Sequence, residues 1–159
     1  MIRKAIKDDI PRLLELCIKQ YLAEHAHEYG INLNVLPLKN ALKSFIDNPA
    51  LGHIHVCEDD GIKGFIIGQI TFNITDLMQP ICHEVGLYVE PEARGKKIAS
   101  WLKHAMEKES AKKGVTLQSM GRAVADKDTE FLHEKYIEWG YTPFQTIYFK
   151  QLQHGENEE

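Results

Sequence analysis

Residues 92–102 read EARGKKIASWL. Arg94-Gly95 enters a turn, and Ile98-Ala99-Ser100 leaves it. Helical spacing then begins, with Ile98, Leu102, Ala105 and Met106 on one stripe running to about Lys113. A helix start presents free backbone N–H groups and a partial positive charge, so it attracts phosphate. Just before it, PICHEVGLYVEP (80–91) reads as a strand ended by Pro91. A helix that starts at the carboxyl edge of a strand lies where ligands of open α/β sheets bind. The spacing matches neither G-x-G-x-x-G nor G-x-x-x-x-G-K-[ST], which excludes the dinucleotide fingerprint and the P-loop.

Working outward, residues 2–6 alternate as a short strand. Asp8 or Asp9 caps a helix with Pro11 in its first turn and Ile10, Leu13, Leu14, Cys17 and Tyr21 on its buried stripe. That helix ends near Gly30, and residues 38–47 read as a second helix stopped by Asn48-Pro49. HIHVCED (53–59) and GIKGFIIGQITFNI (61–74) are two strands joined by the turn EDDG. After the helix at 98–113, VTLQSM (115–120) is a short strand and residues 127–139 are helical. GYTPF and QTIYFKQL supply final strand material. The order is β-α-α-β-β-β-α-β-α-β-β. It implies an α/β (α+β) fold with a mixed, mostly antiparallel sheet of six to seven strands and helices on both faces.

A chain of 159 residues suits one domain, expected over 1–153, with 154–159 a disordered acidic tail. No apolar run reaches the roughly 20 residues that cross a membrane, and MIRKAIKDD lacks the apolar core of a signal peptide. Cys17, Cys57 and Cys82 are odd in number and far apart, which fits a reducing cytoplasm without a disulfide framework. His25/His27 and His53/His55 lack a third ligand in sequence, so no metal is expected. The net charge of −4 does not indicate a nucleic-acid partner. Charge is uneven, however. Residues 94–113 hold seven basic and two acidic residues, a balance of +5, and the rest carries −9. A run of this kind is either a solvated helix face or a site for a small polyanion.

Two motifs carry a resemblance. Arg94-Gly95-Lys96-Lys97-Ile98-Ala99, entered through Leu87-Tyr88-Val89-Glu90-Pro91, resembles the acetyl-coenzyme A turn [QR]-x-x-G-x-[GA] of the GNAT superfamily of N-acetyltransferases. Tyr136-Ile-Glu-Trp-Gly140-Tyr141 resembles its Y-x-x-x-G-[FY] motif. With the element order, the resemblance extends over nearly the whole chain. Lys97 replaces the central glycine, and Thr129 stands where many relatives have asparagine. At a helix start φ is expected to be negative, so a lysine there should carry no strain.

The resemblance implies that acetyl-CoA, as cosubstrate, lies where two parallel strands splay apart. Its pantetheine arm would pair with the strand edge at Leu87, Tyr88 and Val89. Gly86 would sit at the bulge that opens the gap. The pyrophosphate would meet the N–H groups of Gly95 to Ala99 and the Ser100 hydroxyl, with Arg94, Lys96 and Lys97 neutralising charge. Tyr136 would protonate the departing thiolate; otherwise it is a half-buried tyrosine on an amphipathic helix. Glu84 is the preferred base or amine ligand. His83 has the better unperturbed pKa but points to the opposite face of a regular strand, and a mechanism needing neither stays open. His25 and Tyr29, with His27 and Glu28, could form the rim that holds the acceptor amine. The acceptor itself is open among polyamines or aminoglycoside-like molecules, amino acids, protein amines, aminoacyl-tRNA and aminated nucleotides. A homodimer is left open. The competing reading is a non-catalytic module of the same fold, with coenzyme binding weakened at Lys97.

Overall fold

The strongest local signal is the Asp60-Gly61 turn. Both residues have positive φ, 50° and 89°, within the three-residue connection Asp59–Gly61. It joins β2 (Gly52–Glu58) to β3 (Ile62–Asn73), and β3 runs antiparallel into the long β4 (Asp76–Val89). Short β1 (Ile2–Lys4) pairs antiparallel with β2, and β5 (Leu117–Ser119) pairs parallel with β4. The computed structural model describes residues 1–73, 76–121 and 129–144. Among these the sheet has five strands, in the order β1-β2-β3-β4-β5.

The expected sixth and seventh strands are the difference. Residues 141–144 are irregular, and residues from 145, with the acidic tail, lie outside the described residues. Among the described residues no helix is long and apolar enough to cross a membrane.

Helices cover both faces. α1 (Ile10–Ala23) and α2 (Val35–Asp47) lie on one face, where Leu13, Leu16 and Leu42 pack with Ile54, Val56, Phe65, Ile67 and Tyr88. α2 begins three residues earlier than expected, because the Asn34 side chain accepts a hydrogen bond from the Leu36 N–H at 3.3 Å and caps it. α3 (Ile98–Lys112) covers the other face, where Ile98, Leu102 and Met106 pack with Cys57, Ile66 and Cys82.

α1 is tied to the far end of the sheet by charge. Glu90, buried just past β4, accepts from Lys19 at 2.6 Å and from Arg12 at 2.7 Å. Beneath α3 lie two more buried polar groups, His53 and His55, with ring centroids 5.3 Å apart. His53 Nε2 is 3.1 Å from the Ser110 hydroxyl, and both Nδ1 atoms are buried without a hydrogen-bond partner.

α4 (Thr129–Glu138) ends in a Schellman motif. The Tyr141 N–H bonds the Tyr136 carbonyl, the Gly140 N–H bonds the Ile137 carbonyl, and Gly140 has φ 87°. The Tyr141 hydroxyl then donates to Glu107 on α3 at 3.0 Å and accepts from Gln118 on β5 at 2.7 Å. The Gly140-Tyr141 pair therefore fixes the end of α4 against two other elements.

Candidate active site

β4 and β5 pair only at Ile81–His83 with Leu117–Ser119. Beyond His83 that edge of β4 has no strand partner among the described residues, and the sheet opens. On its other edge β4 pairs with β3 through an irregular register: Glu84 faces Gly68 and Gly86 faces Ile67, so Val85 is bulged. A side chain at Gly86 would press on Phe65 at 3.1 Å and on the Gln20 amide at 3.2 Å. Glycine keeps the strand in place there.

A cavity of about 550 Å³ occupies the opening. Its long wall is the β4 edge, Leu87, Tyr88 and Val89. At one end lies the turn, with Arg94, Gly95, Lys97, Ile98, Ala99 and Ser100 on the lining. Lys96, expected with them, is not on the lining. The Arg94 Nε donates to the Val89 carbonyl at 3.2 Å, folding its side chain back over the strand end. Gly95 has φ 82°.

Lys97 departs from expectation. It is the N-cap of α3, with φ 61° and ψ 14°, in the left-handed region rather than the helical one. The chain must reverse its backbone hand to enter α3, so the glycine of the resembling motif supplies conformational freedom as well as room. This lysine carries a local cost of roughly 1 kcal/mol.

The other end is acidic and aromatic. Glu84 lines it, and its carboxylate accepts from the Gly121 N–H at 3.1 Å. Burial is the main cause that pushes its pKa up to about 7, with the nearby Glu24 carboxylate adding to the rise. Tyr136 lines the same end, its hydroxyl donating to the Gly121 carbonyl at 2.7 Å. The structure thus brings Glu84, Tyr136 and the turn to one cavity. His83 is not on its lining; its Nδ1 lies 2.6 Å from the Ser119 hydroxyl, across the parallel pairing.

His25 and Tyr29 are not on the lining either. α1 ends at Ala23, and His25, at φ 52°, turns the chain away, with its Nδ1 3.1 Å from Glu28. In their stead Gln20, Ala23 and Glu24, the last turn of α1, face the cavity. Sequence reasoning missed these, together with Gly121, Phe131, Leu132, Lys135 and Trp139. The aromatic stripe at Phe131, Tyr136 and Trp139 was the available signal for α4. Lys103 sits with its ammonium 2.9 Å from Glu107 and 5.5 Å from the Trp139 ring centroid, held between side chains. Among the described residues no group of three His, Cys, Asp or Glu side chains could hold a metal ion.

Residues 11–137 match the family model described as "Acetyltransferase (GNAT) family". No curated protein matches the sequence. Among solved structures, a predicted acetyltransferase with acetyl-CoA from Clostridium acetobutylicum is 17% identical, with a TM-score of 0.71 over 100% of this chain and 99% of that one. A ribosomal-protein-alanine N-acetyltransferase from Brucella melitensis biovar Abortus 2308 is 15% identical, with a TM-score of 0.70 over 96% and 99%. An aminoglycoside 6'-N-acetyltransferase from Acinetobacter haemolyticus is 14% identical, with a TM-score of 0.72 over 98% and 99%. At these identities the structures share the fold.

Proposed function

We propose that this chain, which belongs to the acetyltransferase (GNAT) family, transfers an acetyl group from acetyl-CoA to a primary amine by direct attack in a ternary complex. The observation that carries this reading is the cavity where β4 loses its neighbour. It has a basic turn and helix start at one end and Glu84 with Tyr136 at the other. The open β4 edge suits an extended amide-bearing arm, which can add to the sheet as a strand would. The turn of Arg94 to Ser100 suits the pyrophosphate.

The acceptor enters as an ammonium and must lose a proton before its nitrogen can attack. Glu84, with a pKa near 7, is about half ionised at neutral pH and takes that proton. The nitrogen bonds to the thioester carbonyl carbon, and the C–S bond breaks with its electron pair going to sulfur. Tyr136 gives its proton to the thiolate, the second nitrogen proton passes through solvent to the tyrosinate, and Glu84 releases its proton to solvent. The products are the N-acetyl amine and free CoA thiol, with one net proton released. The named relatives act on a ribosomal-protein alanine and on an aminoglycoside, so an amine acceptor is in keeping with them.

Titration calorimetry with acetyl-CoA, followed by thiol release on a panel of amines, tests the reading. Binding with amine-dependent thiol release supports it. The strained Lys97 favours the other reading, a binding module with little coenzyme affinity, and absence of binding up to millimolar acetyl-CoA would establish that one.

A further inference from the structure

Glu90 joins α1 to the root of the coenzyme turn, and the join has a fixed place along the helix. Its carboxylate is buried, and a single oxygen accepts from both Arg12, at 2.7 Å, and Lys19, at 2.6 Å. Arg12 and Lys19 are seven residues apart. At that spacing they share one helix face, about 10 Å apart along the axis. Two long side chains therefore reach one buried oxygen from either side. A slip of α1 by one residue would move it about 1.5 Å and turn it about 100°, which breaks both contacts. Leu13 and Leu16 hold α1 on the sheet, but apolar burial is non-directional. The ionic contacts are the stricter gauge of axial position.

On its other side Glu90 is bound into the backbone. Its N–H donates to the Lys63 carbonyl at 2.8 Å, and its carbonyl accepts from the Ala93 N–H at 2.9 Å. The Tyr88 hydroxyl donates to the second carboxylate oxygen at 3.4 Å. Tyr88, Val89 and Ala93 line the cavity on this side, and Gln20, Ala23 and Glu24 line it from α1. One carboxylate thus joins the β4 edge, the entry to the turn and the α1 wall.

We propose that Glu90 is a positioning residue for the acceptor. With Arg12 and Lys19 it sets where the last turn of α1 stands against β4, and so the shape of the cavity where the amine meets the thioester. The kinetic consequence rests on the acetyl-transfer reading above. Replacing a buried ion cluster by apolar side chains of similar size is often neutral or stabilising. What this cluster supplies is placement, and a misplacement of about 1 Å costs up to about 10²-fold in rate.

The test uses the full chain with Glu90→Gln, with Lys19→Met, and with Arg12→Met, Lys19→Met and Glu90→Met combined, at a temperature where each is folded. The combined variant should melt above Glu90→Gln, which leaves two cations beside an uncharged amide. It should nevertheless lose about tenfold or more in kcat/KM for the best amine, while acetyl-CoA affinity changes less than about threefold. Lys19→Met keeps the Arg12 contact and a half-exposed site, so it should fold and fall between wild type and the combined variant. A second readout does not depend on acetyl transfer. Cys17 lies on α1 between the two cations, and burial pushes its thiol up to about 12. Its alkylation by iodoacetamide, located by mass spectrometry, should be about tenfold faster in the combined variant. Unchanged kcat/KM there, or a loss that only follows melting temperature across the variants, overturns the assignment and leaves acetyl transfer standing. Acetyl-CoA binding without thiol release on any amine overturns acetyl transfer. The Cys17 rate then decides the placement by itself, and an unchanged rate overturns that too.

Discussion

Glu84 and Tyr136 hold opposite ends of the same residue. The Glu84 carboxylate accepts the Gly121 N–H at 3.1 Å, and the Tyr136 hydroxyl donates to the Gly121 carbonyl at 2.7 Å. The proposed base and acid come from a strand and a helix far apart in sequence. Their spacing is set by one glycine after β5, so a disturbance at Gly121 reaches both.

Tyr136→Phe separates chemistry from scaffold. Loss of the hydroxyl leaves the Gly121 carbonyl short of a donor and costs about 1 kcal/mol of stability. If the hydroxyl protonates the thiolate, kcat falls about 10²-fold while acetyl-CoA affinity barely moves. An unchanged kcat with a good acceptor removes Tyr136 from the mechanism.

Glu84→Gln should remove the acidic limb of the rate profile near pH 7, where the carboxyl titrates. If His83→Asn does this and Glu84→Gln does not, the base is His83.

The same carboxyl and the two buried histidines oppose each other in acid stability. Burial pushes the pKa of His53 and His55 down to about 4. Between about pH 6.5 and 4 the unfolded chain therefore binds more protons, and stability falls as pH falls. Glu84 is raised. Its contribution is fully present below about pH 4.5 and is lost as pH rises through about 7. Each effect is on the order of 3 kcal/mol at full extent, so two histidines outweigh one carboxyl and the protein weakens on acidification. Urea midpoints should fall from neutral pH to about pH 5. The slope should steepen in Glu84→Gln and flatten in His55→Gln. A flat wild-type profile would show that the histidines are not held neutral.

Lys97→Gly sets backbone strain against charge. It releases roughly 1 kcal/mol of left-handed strain, gives back about as much in chain entropy, and removes one exposed cation worth less than about 1 kcal/mol. Stability should change by under about 1 kcal/mol and acetyl-CoA affinity by less than about tenfold. Lys97→Ala loses the charge and keeps the strain, so it should bind no better than wild type. Calorimetry on all three decides. A hundredfold gain in Lys97→Gly marks the natural turn as a degraded site.

What the sequence carried was local. The β2–β3 hairpin was legible because Asp60-Gly61 and the alternating strands around it are local rules. The phosphate turn was legible because Arg94-Gly95 stands between a strand and an amphipathic helix. The φ of Lys97 was not, since no side-chain pattern marks the direction in which a chain enters a helix. Glu24 was invisible for a different reason. It reaches the cavity only because α1 docks on β4, through Lys19, Arg12 and Glu90, across some seventy residues. Gly121 is silent in the same way, because it acts through its backbone.

The bulge at Val85 is also a slip of phase along β4. Cys82 lies on the α3 face; so do Leu87 and Val89, which an unbroken alternation would place on the opposite side, while Tyr88 lies with α1 and α2. The strand thus changes parity midway, odd positions taking over the face that even positions held. A deletion of Val85 would restore simple alternation and tighten the pairing with β3. The pairs Glu84–Gly68, Gly86–Ile67 and Leu87–Ile66 would be kept, so what is lost is the bend that the extra residue puts into β4 where the cavity opens. The extra residue lets one strand serve two registers, the core register before it and the cavity register after it.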